Sequence, residues 1–459
     1  MTWLSFAAKS GGLLLVTPLV LRVFTPAESS LWFLFLTINA ITQMTDFGFG
    51  PSFVRAISYA RAGRRELASA DSFLEGPNQA LLGEIYVVLE NCYNRLALAG
   101  GLVALVLGSW ALVKPISQLE TPSKGWLGWA IVWAAALVVF RNSAYAQWLQ
   151  GMNKVALLRR VEAILALGTT VLTTIVLFLT RDFLWTLSAA SLGYIASSFT
   201  VRWLCRRKAL GSAAPTSTAG AGGVFSFIWP AAWRSGLGVL FSNAAIQASG
   251  VIYAQIVPAE QAAPYLLAMR IMQVLLQVSM APFYSKLPQF AATYGSGNRK
   301  SLIPLVQRSM ATAHWVYAVG VLVVGVSIQP LLNIIGSRTL FVSTYLWFFL
   351  GVAFFIERFG AMHLQFYSLS NHILWHVANG ITGAIYLLTS SLLLPTLGVT
   401  AFPAGMICGY AGFYSWFSAR LAYKHYHHSP WRFEARSSLV PALLLLSAFV
   451  HAFFAQHAP

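Results

Sequence analysis

The stretch TDFGFGPSFVRAISYARAGRR, Thr45 to Arg65, follows LWFLFLTINAITQM, Leu31 to Met44, and the two together read as one apolar run that changes character before it ends. Its first half is a helix entering a membrane. Its second half brings in Asp46, Gly48, Gly50, Pro51 and Arg55. Proline removes a backbone donor and disfavours helix in the residue before it, so a bend or break is expected here. Polar backbone groups freed by a break within a bilayer must line a water-filled cavity or pack against protein. The helix is therefore expected to face a cleft and not lipid. At 1.5 Å per residue, Asp46 falls about 24 Å along a span that starts near residue 30, in the cytoplasmic leaflet.

Composition supports a membrane setting. Hydrophobic residues make up 57% of the 459-residue chain and charged residues 9%, against about 25% charged in soluble domains; the mean hydropathy is +0.66. A polytopic membrane protein is the class that accommodates such a sequence. Lys9 lies inside the first apolar segment and no small-residue cleavage site follows, so that segment is expected to stay as a span. The three cysteines, Cys92, Cys205 and Cys408, are far apart with neither metal spacing nor an even count, and imply no disulfide framework. No cofactor or metal is expected.

The formal charge of +17 is distributed in a way that points to lipid and not to nucleic acid. Basic residues gather in alternate loops: Arg61, Arg64 and Arg65; Lys154, Arg159 and Arg160; Arg202, Arg206, Arg207 and Lys208; Arg299, Lys300 and Arg308; Arg420, Lys424, Arg432 and Arg436. The intervening loops offer little beyond Lys114, Lys124, Arg181 and Arg338. This asymmetry predicts a cytoplasmic N-terminus and cytoplasmic basic loops. The KHYHH run, Lys424 to His428, reads as an interfacial basic loop near anionic lipid and not as a metal site.

Apolar runs of about 20 residues predict spans near 5–24, 30–57, 96–113, 126–149, 160–180, 183–204, 228–250, 262–288, 311–334, 341–369, 373–395 and 398–422, with a further run near 438–456 that either spans or lies along the interface. The expected fold is an all-α polytopic membrane protein of about twelve transmembrane helices, or thirteen or fourteen. Every non-cytoplasmic loop is short, which argues against a membrane glycosyltransferase and against any enzyme. The longest cytoplasmic connection, Ser58 to Arg95, carries Glu66, Asp71, Glu75, Glu84 and Glu90 and reads as a solvated amphipathic hairpin.

Self-comparison reveals a repeat. TPAESSLWFLF from Thr25 aligns with VPAEQAAPYLL from Val257, and GPSFVRAISYA from Gly50 with APFYSKLPQFA from Ala281, which sets Arg55 opposite Lys286. Further on, the segment from Arg141 resembles that from Arg358, and Gly193-Tyr194 matches Gly409-Tyr410. The matches run in chain order with nearly constant spacing. They predict two parallel six-helix bundles around a central cavity, an arrangement suited to alternating access. The expected organisation is an N-terminal bundle over 1–210, a cytoplasmic linker over 211–226, a C-terminal bundle over 227–425, and a basic loop with an additional hydrophobic segment over 426–459.

Ionisable residues within spans are functional candidates because an unpaired charge in hydrocarbon costs several kcal/mol. Arg270, in PYLLAMRIMQVLLQVSM, lies too deep for easy snorkelling and shares a helical face with Gln273 and Gln277; it reads as cavity lining, with a buried structural ion pair as the alternative, for which the second half supplies few acids. Lys9 in AAKSGG and Arg234 in AWRSGL occupy similar places in the two halves, and Asn243 and Gln247 continue the polar face after Arg234. Arg55 reads either as cavity lining or as a residue snorkelling at the membrane edge. Asp46, with Gly48, Gly50 and Pro51, reads either as a coupling and gating element or as a structural partner of Arg55 or a neighbouring helix. Arg141, Glu162, Glu357 and Arg358 are expected to pair and fix helix packing.

These features, with DFGFGPSFVRAIS, WLQGMNKVALLRRVEAI and YLLAMRIMQVLLQVSMAPFYSKLPQFA, resemble the Wzx-type polysaccharide flippases (O-antigen and exopolysaccharide) of the multidrug/oligosaccharidyl-lipid/polysaccharide exporter superfamily along essentially the whole chain. The resemblance implies a bacterial inner-membrane flippase that moves a polyprenyl-pyrophosphate-linked oligosaccharide, for lipopolysaccharide or exopolysaccharide synthesis, from the cytoplasmic to the outer leaflet. It implies a cationic cavity to which Lys9, Arg55, Arg234 and Arg270 contribute. Implied partners are the lipid-linked glycan, membrane lipid and polysaccharide polymerase or assembly proteins. Two alternatives stand beside it, a cation-coupled multidrug exporter and a flippase for the lipid-linked peptidoglycan precursor. Drug exporters for cations call for acids in the cavity, and here basic residues outnumber Asp46.

Overall fold

A computed structural model describes residues 15–44, 46–67, 74–209, 221–241, 245–295, 299–370 and 374–457. Lys9 and Asn243 lie outside the described residues. All described elements are helices. The order is α1 (described over 15–23), α2 (Pro26–Met44), α3 (Phe49–Arg61), α4 (Gln79–Ser117), α5 (Pro122–Gly151), α6 (Val155–Thr180), α7 (Phe183–Lys208), α8 (Ala221–Val239), α9 (Ala245–Ile256) and α10 (Ala259–Tyr284). It continues with α11 (Leu287–Gly295), α12 (Arg299–Ile335), α13 (Thr344–Ser368), α14 (Trp375–Leu397), α15 (Ala401–Gly409), a π-helical turn (Tyr410–Tyr414), α16 (Ser415–Tyr426), α17 (Pro430–Ser437) and α18 (Leu439–His457).

Among the described residues, eight stretches are long and apolar enough to cross a membrane, and one of them, Trp375–Tyr426, contains two of the predicted spans. Large apolar side chains face outward along them: Leu98, Val106 and Trp110 on α4, Phe178 and Leu179 on α6, Val326 and Ile334 on α12, Phe454 on α18. Outward-facing leucine and phenylalanine at this density match a hydrocarbon solvent, not water. The chain is a multi-pass membrane protein. The terminal run is helix α18, and Leu439–Gln456 is itself long and apolar enough to span; it packs on α12 and α13.

The expected break in the second span is realised as a turn over Asp46–Gly48, between α2 and α3. The structure departs from the predicted spans at the third. The third starts at Gln79, well before residue 96, because Asn78 caps it by accepting the Leu81 amide at 3.1 Å and because Leu82, Ile85, Tyr86, Leu89 and Tyr93 are buried at helical spacing. Much of the expected solvated hairpin is therefore helix. With 39 residues, α4 is about 58 Å long, roughly twice a bilayer core, so its first half stands clear of hydrocarbon.

Two compact units form: one comprises the chain up to Gln247 together with Ala254–Ala259, the other Ala248–Tyr253 and the chain from Glu260 onward. In the first, α3 packs on α4, α5 and α8, around Phe53, Ile57, Tyr93, Trp148, Leu204 and Ile228. By packing, α8 thus belongs with the helices that precede it. In the second, Phe283, Phe290, Met310, Met362, Phe366 and Phe433 form a core.

Close helix contacts repeat within each unit. A Cβ on Gly193 of α7 would lie 2.5 Å from Thr169 of α6, and one on Gly409 at the end of α15 would lie 2.9 Å from the carbonyl of Thr382 of α14. Small residues let membrane helices approach at backbone distance. The Gly-Tyr pairs matched in the repeat thus do the same packing work in the two units.

The predicted orientation yields a direct test. A cysteine at exposed Ser123 is expected to react with an impermeant maleimide in intact cells, and one at exposed Arg207 only after permeabilisation. Labelling at position 207 from outside would invert the topology.

Candidate functional site

The interruption in the quoted stretch is a built turn. Phe47 has φ 47° and Gly48 φ 71°, both left-handed; glycine adopts that conformation at no steric cost, whereas phenylalanine does so only under constraint. Asp46 supplies part of that constraint. Its Oδ2 accepts the Gly50 amide at 2.9 Å and its Oδ1 accepts the Tyr93 hydroxyl. The carboxylate thereby satisfies a donor at the start of α3, where the helix dipole also favours negative charge. Pro51 sits in the first turn of α3, where its missing N–H costs no intrahelical bond.

Gly236 of α8 completes the turn from the other side. A Cβ there would lie 2.6 Å from the Phe47 carbonyl oxygen and 2.7 Å from its Cα. The turn is thus gripped between Tyr93 of α4 and the backbone of α8. Among the described residues no ion pair joins Asp46 to Arg55; the partner from a neighbouring helix is Tyr93.

Two helical turns beyond Asp46, the same local geometry opens a cavity of about 240 Å³ lined by Ser52, Arg55, Phe227, Ile228, Pro230, Ala231 and Arg234. Two arginines from α3 and α8 share it, and among the described residues no acid lines it. The Arg234 guanidinium lies 5.8 Å from the centroid of the Trp233 ring. Pro230, inside α8, removes one backbone donor at the cavity wall.

In the second unit, Arg270 of α10 donates from Nη1 to Gln273 Oε1 at 3.1 Å. Gln277, one turn further, is exposed. Gln247, on α9, is half-buried. Glu357 and Arg358, neighbours on α13, pair at 3.3 Å, with the Arg358 side chain 3% exposed, and Glu162 pairs with Arg159, one turn earlier on α6, at 2.8 Å; each of these two pairs lies within one helix and does not itself tie two helices together. Among the described residues no group of three or more His, Cys, Asp or Glu side chains could hold a metal ion, and the three cysteines are free.

Reading the residues missed Tyr93, Ser52 and Gly236. Tyr93 follows the buried spacing of α4 and is indistinguishable from a core aromatic by pattern. Gly236, in AWRSGL, carried a weak signal beside Arg234.

No protein-family model matches the chain, and no curated protein matches it. Solved structures match over nearly its full length. An inward-facing multidrug resistance MATE family transporter of the MOP superfamily is 13% identical, with a TM-score of 0.65 over 94% of this chain and 95% of that one. The lipid II flippase MurJ, in an inward closed conformation, is 10% identical with a TM-score of 0.65 over 100% and 99%. The Vibrio cholerae MATE transporter VcmN is 15% identical with a TM-score of 0.57 over 93% and 97%. The class is therefore set by the fold: this is an all-α, multi-pass membrane protein whose fold matches that of these MATE transporters and the lipid II flippase. At these identities the likeness is one of fold.

Asp46→Asn separates the turn's roles. The amide can still accept from Tyr93, but its NH2 group then faces the Gly50 N–H, so one hydrogen bond is lost at a net cost of about 1 kcal/mol. The variant is expected to assemble in the membrane and to transport several-fold more slowly, as read by initial rates and thermal stability together. A normal rate across a range of pH and sodium would remove Asp46 from coupling.

Proposed function

We infer that this protein is a flippase for a polyprenyl-pyrophosphate-linked oligosaccharide, moving the head group from the cytoplasmic to the outer leaflet of a bacterial inner membrane by alternating access while the lipid tail stays in the bilayer. The observation that carries this reading is the cavity with Arg55 and Arg234 on its wall and no acid among its described lining residues. Guanidinium groups donate in a planar fork that fits phosphate oxygens, and charge-assisted hydrogen bonds of this kind are about twice as strong as neutral ones. A cationic drug would meet repulsion there. Arg270, with Gln273 and Gln277, is assigned to the same pathway, and Lys9, Asn243 and Gln247 with it. Polysaccharide polymerase or assembly proteins are the expected partners.

A second substrate shares this chemistry. The fold extends over 99% of the lipid II flippase, so the lipid-linked peptidoglycan precursor is the nearest competitor. Reconstitution into liposomes with each lipid-linked substrate, oriented on one side, decides between them. Faster flipping of the oligosaccharide supports the reading, and faster flipping of lipid II replaces it. Export of a cationic dye without flipping of either lipid would return the multidrug alternative. Arg270→Ala is expected to abolish flipping at normal expression and Arg270→Lys to retain part of it.

A further inference from the structure

We propose that α17 and its neighbours form a docking surface for anionic phospholipid head groups of the leaflet on that side of the membrane. The short helix PWRFEARS, Pro430–Ser437, is divided between two faces. Phe433 and Ser437 are buried, and Glu434 turns inward, where Oε1 accepts from Tyr423 at 2.7 Å and pairs with His363 Nε2 at 3.0 Å. Its Oε2 accepts from Ser437 at 2.9 Å and from Ser438. Gln307 of α12 holds the backbone of the same helix, donating from Nε2 to the carbonyls of Arg432 at 3.2 Å and Phe433 at 2.9 Å. Anchored in this way, α17 presents a fixed outer face.

That face is basic and aromatic. Trp431 is 85% exposed, and Arg432 and Arg436 are exposed beside it. Exposed Arg308 adjoins Gln307 on α12, and exposed Lys424 adjoins Tyr423 on α16. The single acid of α17 is the one turned inward, and neither α12 nor α16 contains an acid. Among the described residues, α17 thus carries the exposed cations Arg432 and Arg436, exposed Arg308 and Lys424 stand on the two helices that bond to it, and none of these three helices has an exposed carboxylate.

The level in the membrane follows from the chain itself. Helix α18, itself long and apolar enough to span, begins at Leu439, and Leu439, Val440 and Leu443 are already exposed; with α18 as a span, α17 sits at the boundary where lipid head groups lie. Tryptophan concentrates at that boundary, and arginine engages phosphate there. Charge complementarity commits the surface to anionic phospholipid; the inference does not depend on which substrate is carried.

The test uses the full chain in nanodiscs or neutral detergent. Phosphatidylglycerol is titrated against phosphatidylcholine, with lipid adducts counted by native mass spectrometry. At about 1 kcal/mol per basic residue, Arg308→Gln, Arg432→Gln and Arg436→Gln together are expected to weaken phosphatidylglycerol association by about two orders of magnitude, and the corresponding lysine variants to retain most of it. An undiminished preference in the triple glutamine variant would overturn the proposal. Should that variant fail to fold, a cysteine at exposed Ala435 carrying a photo-crosslinker reports on the native surface, with phosphatidylglycerol captured over phosphatidylcholine as the expected result. Equal capture of the two, or preferential capture of a lipid-linked pyrophosphate or an acidic protein, would overturn it.

Discussion

Arg55→Ala with Arg234→Ala is expected to lower the initial rate of lipid-linked oligosaccharide flipping by at least two orders of magnitude in a reconstituted assay, with the protein still folded and inserted. A hydrogen bond to a charged group contributes about 1.5–3 kcal/mol, and each 1.36 kcal/mol lost from the transition state is tenfold in rate. Two such contacts therefore account for more than a hundredfold. Stability should change little, because both side chains are exposed and neither makes an ion pair among the described residues. The paired lysine variants keep the charge and lose the fork, so an intermediate rate is expected. Rates within threefold of the parent for the double alanine variant would sink the assignment of this cavity to the pyrophosphate. A membrane potential acts on the same charges: each elementary charge moved across 100 mV is worth about 2.3 kcal/mol. If two arginines neutralise a doubly negative head group, the potential drives the inward return of the empty, positive site, and collapsing it slows the cycle.

Protonation of Glu434 on acidification is expected to destabilise the second unit by about 3 kcal/mol. Burial pushes the Glu434 carboxyl up, but the hydrogen bond and charge of His363, with the Ser438 and Tyr423 hydroxyls, more than offset this and hold it at about 2 against an ordinary 4.5. At 1.36 kcal/mol per pH unit, that difference is about 3 kcal/mol, or roughly 6–12 °C in Tm for about 200 residues. The sign is that of a depressed carboxylate: the stabilisation is present above pH 4.5 and is lost as pH falls toward 2. His428 acts earlier. Burial, followed by the neighbouring His363, holds it at about 4 against 6.5, so the unfolded chain takes up its proton first and stability falls as pH drops from 6.5 to 4. Tm measured from pH 7 to 3 should therefore decline in two windows, and Glu434→Gln should flatten the lower one. An unchanged profile in that variant would mean that α17 is held by its apolar contacts and the Gln307 hydrogen bonds, without the Glu434 carboxylate.

Much of the fold was legible in the residues. Each of the thirteen apolar runs contains helix among the described residues, and the break after Met44 was readable from Gly48, Gly50 and Pro51 because backbone chemistry acts locally. The extension of α4 back to Gln79 was not, since acids at Glu84 and Glu90 made a buried helix face read as a solvated one; Glu90 is in fact bonded to the hydroxyls of Tyr86 at 2.9 Å and Tyr145 at 2.7 Å.

By itself the sequence determined the membrane class, the alternation of basic loops, the repeat and the interruption of the second span, since composition and local backbone preference suffice for each. Only the tertiary structure decided which polar groups meet: Arg55 with Arg234 on one cavity wall, Asp46 with Tyr93, Glu434 with His363. In a soluble helix the apolar stripe marks the buried face. In a membrane helix the lipid-facing and protein-facing sides are both apolar, so periodicity no longer says which side meets a neighbour, and polar partners far apart in sequence are identified only once the helices are packed.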